Sequence, residues 1–387
     1  MYAAVTRAIA ATQQLVSFCD AIMFYPGNSR KEQRIMTKEQ IVEWLKTDDE
    51  QVLEGLWRQA DQARQLAVGD DVHLRGLLEI SNYCVRSCQY CGLRVESTEL
   101  PRYRMPEHEI MDCVGEAVSY GYGTVVMQAG EDFGLTTDWI SHIVRRIKTE
   151  TDLAVTLSLG ERSLDELAQW RKAGADRYLL RFETSNRSLF ERIHPSLPGK
   201  TSDRIDLLKQ IKSLGYETGS GVMIGIPGQT WDDLAEDILL FRELDLDMIG
   251  VGPFIAHGGT PLGRPAENNP DQVPNTELMT YKVIALTRLV CPLANIPSTS
   301  ALATLNLARG RELGLARGAN IVMPNLTPKQ YRPLYEIYPA KACIDETAAE
   351  CRACMHGRIR SVNRNVGSGR GDSPNRASGD TGSGPLR

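Results

Sequence analysis

Three cysteines, Cys84, Cys88 and Cys91, stand close together in the run N-Y-C-V-R-S-C-Q-Y-C-G with the spacing C-x3-C-x2-C. A structural zinc site closes on four ligands, and an electron-transfer [4Fe–4S] cluster takes four thiolates. Three thiolates on one loop leave a four-iron cluster with one iron free of protein ligands, and that iron can bind a small molecule. The competing reading is a zinc or structural cluster site completed by a distant residue. A second triplet, Cys343, Cys351 and Cys354, follows the pattern C-x7-C-x2-C near the other end of the chain. Of the nine cysteines only Cys19, Cys113 and Cys291 stand alone, and buried packing suits them. Clustering of this kind favours metal ligation in a reducing compartment over a disulfide scaffold.

Something must hold those thiols in place. From His73 onward, short β-rich runs alternate with amphipathic helical stretches such as Glu107–Tyr120, Asp165–Ala173, Asp203–Leu214 and Trp231–Leu244. Candidate strands are Leu74–Ser81, Thr124–Gly130, Ala154–Gly160, Arg177–Glu183, Glu217–Gly225, Met248–Phe254, Ile296–Ser300 and Asn320–Asn325. Gly121, Gly174, Gly215 and Gly318 each stand between a helical pattern and the next strand, where a left-handed residue ends a helix. The repetition predicts concatenated βα units around a parallel sheet: an α/β fold, a (β/α)8 TIM-type barrel, with a doubly wound open sheet as the competitor. In either fold the carboxyl ends of the strands carry function. Polar and glycine-rich residues collect there, at Gln128 to Asp132, Ser158 to Glu161, Arg181 to Thr184 and Ser298 to Ser300, and the first cysteine triplet follows the first strand.

The triplet, with aromatic Tyr90 beside its third cysteine, resembles that of the radical S-adenosylmethionine superfamily. The resemblance implies a [4Fe–4S] cluster on Cys84, Cys88 and Cys91 whose open iron chelates the methionine moiety, and reductive cleavage to a 5′-deoxyadenosyl radical. It also implies a cofactor pocket at successive strand ends. Gln128, Gly130 and Glu131 close the second strand, where the methionyl amine is received. Ser158, Glu183 and Arg204 offer polar and charged contacts, with an ordinary Glu183–Arg204 ion pair as the plainer alternative. Met223 and Ile224 lie in the G-V-M-I-G-I-P-G-Q run, where backbone approaches the adenine.

A closer resemblance rests on Ser81-Asn82-Tyr83-Cys84, Cys91-Gly92-Leu93-Arg94, Arg102-Tyr103-Arg104-Met105, the V-T-L-S-L-G-E run from Val155, the A-D-R-Y-L-L-R run from Ala175, Met323-Pro324-Asn325 and the C-terminal cysteines. These stretches are similar to HydE, a maturase family of [FeFe]-hydrogenase, over roughly residues 37–358. The family resemblance implies radical chemistry at sulfur of an iron-bound, cysteine-derived precursor, during assembly of the H-cluster diiron subcluster and its dithiolate bridge. It places Thr156, Arg181, Ser298, Thr299, Ser300 and Tyr335 in an anion- and substrate-binding lumen, and an anionic iron complex would want such a fixed cation and hydroxyl donors. Cys343, Cys351 and Cys354 resemble an accessory site for a second [2Fe–2S] or [4Fe–4S] cluster. Implied partners are HydG-like and HydF-like maturases and a reductant such as ferredoxin or flavodoxin. Biotin synthase, which keeps a second cluster inside its barrel, is disfavoured because no cysteine stands at the matching strand ends. A 3-methylornithine synthase-like mutase and a non-catalytic iron–sulfur scaffold are the remaining alternatives.

The rest of the 387-residue chain sets bounds. Net charge is −5, with 42% hydrophobic and 24% charged residues, so neither nucleic acid nor an anionic membrane is an expected partner. No apolar run is long enough to span a bilayer. The expected organisation is an extension over 1–36, a helical segment over 37–72 packing on the barrel, the barrel over 73–340, the second cysteine motif over 341–366 and a disordered tail over 367–387. The extension reads equally as an organelle-targeting peptide or a non-native start, so the expected compartment is the cytoplasm, or an organelle matrix or stroma in the first case. Arg370-Gly371-Asp372, a cell-adhesion tripeptide, is read as a chance occurrence.

Overall fold

The computed structural model describes residues 36–263 and 271–377. The N-terminal extension up to residue 35, with Cys19, and the last ten residues of the tail lie outside the described residues.

All eight candidate strand regions take part in one parallel array. The assigned strands are β1 (Asp71–Ser81), β2 (Thr124–Ala129), β3 (Ala154–Ser158), β4 (Arg177–Leu179), β5 (Glu217–Ile224), β6 (Met248–Pro253), β7 (Ile321–Val322) and β8 (Asn365–Val366). They are hydrogen-bonded in the order β6-β5-β4-β3-β2-β1-β7, and β8 pairs with the start of β1. The seventh barrel position is filled by residues 295–297, whose bridges Met248–Asn295 and Pro297–Ile321 carry the ladder from β6 round to β7 and close the ring. Most of the intervening helices begin at side-chain caps, as at Ser163 and Thr230, where reciprocal capping boxes satisfy the first free N–H groups. The four junction glycines all have positive φ, as the helix-to-strand turns require. The helices Lys38–Lys46 and Glu50–Val68 pack outside the barrel against Trp231–Glu243 and Glu277–Val290. Lys282, buried at that seam, is satisfied by the Leu45 carbonyl at 2.9 Å and Asp48 at 2.8 Å.

Two expectations about backbone change. The fourth strand ends at Leu179, and Leu179 to Glu183 spans four residues against three from Gly219 to Val222 on β5. That extra residue is a bulge, and Glu183 closes it with φ 65°. Inward placement of Arg181 and Glu183 therefore comes from the bulge and not from simple strand alternation. The Ile296–Ser300 strand is shorter than expected, since a helix begins at Ser300.

The larger correction concerns the tail. Residues 367–377 are ordered and strap the amino-terminal end of the barrel. Arg75 and Arg177 point into that end, both almost fully buried, with Glu217 2.8 Å from Arg177. The strap supplies further acceptors to both guanidinium groups. The Gly371 carbonyl accepts from Arg75 at 3.0 Å, the Arg370 carbonyl accepts from Arg177 at 3.0 Å and from Thr124 at 2.8 Å, and Asp372 pairs with Arg177. Ser373 donates its N–H to Glu217 at 3.2 Å. The Arg-Gly-Asp tripeptide is thus internal structure. Buried cations stripped of acceptors are expensive. A chain ending at Val366 is expected to lose on the order of 3 kcal/mol of stability, read as a lower urea midpoint; an unchanged midpoint would contradict this account of the strap.

Candidate active site at the carboxyl ends of the strands

The first cysteine triplet lies on the loop that leaves β1, and the family-like runs around it hold that loop. Asn82 donates to the carbonyls of Pro101 at 2.9 Å and Leu334 at 2.8 Å, and accepts from the Tyr103 N–H at 2.7 Å. The Arg102 guanidinium gathers the carbonyls of Asn82, Leu93, Arg94 and Ser97. At the end of β2, a Cβ on Gly130 would sit 2.2 Å from the Tyr83 carbonyl, so only glycine allows this approach. The next N–H, that of Glu131, points at Cys84 Sγ at 3.4 Å.

Arg86, inside the loop, bolts it to two neighbouring strand ends through Glu131 at 2.7 Å and Glu161 at 2.8 Å. Glu161 also binds Arg204 at 2.9 Å and accepts from the Ser202 hydroxyl. Burial pushes Glu131 up despite Arg86. At Glu161 burial is outweighed by Arg204, Ser202 and Arg86, and its carboxyl is held below the usual range. His194 is 1% exposed, and its Nε2 meets Arg204. Burial, then Arg204 and Arg86, push it down to about 2, so it is neutral and accepts from the guanidinium, with its proton on Nδ1.

The ion pairing differs from the plain Glu183–Arg204 alternative. Arg204 pairs with Glu161, while Glu183 pairs with Arg181 at 3.0 Å. Arg204 also donates to the Arg181 carbonyl at 2.7 Å, and Arg181 donates to the Val222 carbonyl at 2.6 Å. Ser158 ends β3 on the same rim, half-buried. Tyr90 and Met223 come together in an apolar patch with Leu189, Ile193, Ile226 and Phe254. Ile224 does not join them; its side chain belongs to the main core, leaving only its backbone for the site. Gln229 shapes the following turn by accepting from the Gly225 N–H at 2.7 Å.

Deeper in the lumen, Thr156 is fully buried and its hydroxyl has no partner, and Arg181 Nε is likewise unpartnered. Tyr335, 1% exposed, accepts from Gln128 at 3.3 Å. The hydroxyl cluster is brought in only partly. Ser298 spends its hydroxyl on the Arg311 carbonyl at 3.1 Å. Thr299 caps the helix that starts at Ser300, and its Oγ1 lies 3.4 Å from where a Cβ of Gly252 would be.

Burial raises all three cysteine thiols of the loop, Cys91 to about 12, and the sulfurs reinforce one another at Cys88 and Cys91. Thiolates here need strong positive charge close by, which an iron cluster supplies. Among the described residues no three His, Cys, Asp or Glu side chains are arranged to hold a single metal ion. A multi-iron cluster binds each cysteine at a different iron and makes no such demand. The loop, its N–H donor and the glycine approach therefore fit such a cluster.

In the second triplet, Cys343 lies beside Cys351, and that neighbour, with Arg311, lowers its thiol. Cys354 is exposed and accepts from Arg358 at 3.3 Å.

A model of the radical SAM superfamily matches residues 78–241, a span that holds the cysteine loop and the ends of β1 to β5. The [FeFe] hydrogenase maturase subunit HydE of Thermotoga maritima is 44% identical over 336 residues, covering 87% of this chain and 93% of that protein. The chain belongs to the HydE family. It is a radical S-adenosylmethionine enzyme of hydrogenase maturation, and binding of a [4Fe–4S] cluster and S-adenosylmethionine follows from HydE membership. The 3-methylornithine synthase of Methanosarcina acetivorans is more distant, 28% identical over 282 residues and covering 72% of this chain and 76% of that protein. A methylornithine synthase crystal structure superposes with TM-score 0.74 at 22% identity, covering 92% and 97% of the two chains. HydG from Carboxydothermus hydrogenoformans gives 0.72 at 18%, covering 94% and 81%. At those identities the superpositions establish the shared barrel, and the HydE assignment rests on sequence. No helix among the described residues is long and apolar enough to cross a membrane.

Sequence reasoning passed over Arg86 and His194. Arg86 carried one usable signal, an arginine enclosed between two cysteines beside acidic strand ends. His194, in a loop with no periodic pattern, carried none.

Proposed function

We propose that this chain acts on an anionic, iron-bound, cysteine-derived precursor during assembly of the diiron subcluster and its dithiolate bridge. Cys84, Cys88 and Cys91 would hold the [4Fe–4S] cluster. Gly130, Glu131, Ser158, Glu183 and Arg204, with Tyr90 and Met223 against the apolar moiety, would hold S-adenosylmethionine. When bound, the two supply a 5′-deoxyadenosyl radical by reductive cleavage. The chain's own residues do the rest: Arg86 keeps the cysteine loop seated, Glu161 and His194 aim Arg204, and the lumen walls keep water from the reacting sulfur.

The observation that carries the substrate reading is the pair of buried, unpartnered donors, Arg181 Nε and the Thr156 hydroxyl, on neighbouring parts of the barrel wall, with Arg181 also paired to Glu183. Buried donors without acceptors are costly, and a bound anion removes that cost. HydG-like and HydF-like maturases and a ferredoxin or flavodoxin are the partners this reading requires. It is tested by replacing HydE with this chain in a reconstituted maturation mixture; recovery of hydrogenase activity supports the reading, and activity no higher than without HydE overturns it.

The second triplet is proposed as an accessory cluster site, since Cys351 and Cys354 lie one turn apart on the helix Ala348–Ser361 and Cys343 stands beside Cys351. Cys351→Ala is expected to lower total iron per chain while leaving S-adenosylmethionine cleavage within about twofold, because among the described residues no hydrogen bond or ion pair joins this buried thiol to the cysteine loop or the Glu161–Arg204 rim. Iron analysis paired with 5′-deoxyadenosine quantification checks this, and loss of cleavage in a folded variant would contradict it.

A further inference from the structure

The segment after β7 meets the cysteine loop, the end of β2 and the inner face of β1. Residues 334–337 press on the cysteine loop. Gly92 donates to the Ile337 carbonyl at 3.1 Å, and a Cβ on Gly92 would lie 2.1 Å from the Glu336 carbonyl. Tyr335 from this turn reaches Gln128 in the lumen, and six residues later Lys341 turns back into the same space. Lys341 is buried, with its ammonium on Glu79 of β1, 3.4 Å from the Tyr335 carbonyl and 5.1 Å from the centre of the Tyr335 ring. Glu79 is 1% exposed, and burial pushes its carboxyl up in spite of Lys341. Asn325 approaches its other oxygen at 3.5 Å.

A buried ion pair seldom repays its desolvation in stability. This one holds the Tyr335 backbone and ring face with a single cation, while Gln128 fixes the phenol at the other end.

We propose that Lys341 is a positioning residue for the substrate step: pinned by Glu79, it holds Tyr335 over the lumen at the height of the anionic precursor. The inference rests on the reading of Tyr335 as a substrate contact. Lys341→Met frees the ring and loosens the Tyr335 backbone, whereas the Leu334 and Ile337 carbonyls still hold the turn to the cysteine loop and the cofactor rim on β2 to β5 keeps its own contacts. Misplacement of a contact by about 1 Å can cost on the order of a hundredfold.

Lys341→Met is therefore expected to lower kcat for the precursor on the order of a hundredfold, with cluster content and precursor-free cleavage of S-adenosylmethionine little changed. Tyr335→Phe and the double variant complete a cycle in which the two effects are strongly non-additive, because Lys341 acts through Tyr335. Hydrogen exchange at the Tyr335 and Ile337 amides should quicken in Lys341→Met, a readout independent of turnover. Glu79→Gln combined with Lys341→Met removes both charges and restores stability if Lys341→Met alone folds poorly; turnover should stay low. Additive effects in the cycle, or normal turnover in either Lys341 variant, overturn the inference. Failure of the wild-type protein to turn over the precursor at all would instead count against the proposed substrate.

Discussion

Cys88→Ala is expected to abolish both the [4Fe–4S] signal and 5′-deoxyadenosine formation, leaving only iron held at the proposed accessory site. Cys88 is 7% exposed, the most buried of the three loop cysteines. Its thiol is raised well above the ordinary range by burial, then by Cys91 and Cys84. A methyl group cannot replace a thiolate, and no fourth cysteine, His, Asp or Glu is arranged among the described residues to take its place. Arg86 and Arg102 should still hold the loop, so the variant ought to fold with a nearly normal melting temperature. Optical and paramagnetic spectra of the anaerobically reconstituted variant decide the matter; a normal cluster signal with normal cleavage would show that this triplet is not the ligand set.

The second large effect is expected at Arg181. Arg181→Met should keep the cluster and raise the KM for S-adenosylmethionine less than tenfold, yet lower precursor turnover by about 10²–10³-fold, the loss typical of one preorganised donor to a developing or bound anion. The modest cofactor effect follows from the 3.0 Å Arg181–Glu183 pair, because Met leaves the Glu183 carboxylate without its cation. The large substrate effect follows from the buried, unpartnered Nε. Separate titrations of cofactor and precursor check the split. Equal precursor affinity and turnover in variant and wild type would place the anion elsewhere.

The barrel was legible because its signals are local and repeated. Apolar runs of strand length, followed by helical periods and a glycine, placed every barrel strand, and Gly121, Gly174, Gly215 and Gly318 all adopt the left-handed turn the pattern asks for. The cysteine loop was legible for the same reason: its three cysteines are contained in eight residues, and Gly130 and Glu131 stand where the loop meets β2. What escaped is long-range charge pairing. The strap at 367–377 has no hydrophobic period, and what orders it is two arginines at the base of β1 and β4, some 200 to 300 residues earlier. The Glu131–Arg86–Glu161–Arg204 chain joins four segments that no local pattern relates, so Glu183 and Arg204 stand on the rim with partners other than each other. Ser298 shows the opposite failure. A hydroxyl at a strand end looks available in sequence, but here the Arg311 carbonyl has taken it.

The most direct test is to measure 5′-deoxyadenosine from the anaerobically reconstituted full chain with dithionite and S-adenosylmethionine, with and without a synthetic iron–cysteine complex of the kind a HydG-like enzyme would deliver. Slow cleavage alone, markedly accelerated by the complex and accompanied by its conversion, is the predicted result. No 5′-deoxyadenosine under either condition, or a rate indifferent to the complex but raised by an amino-acid substrate such as lysine, would contradict the account.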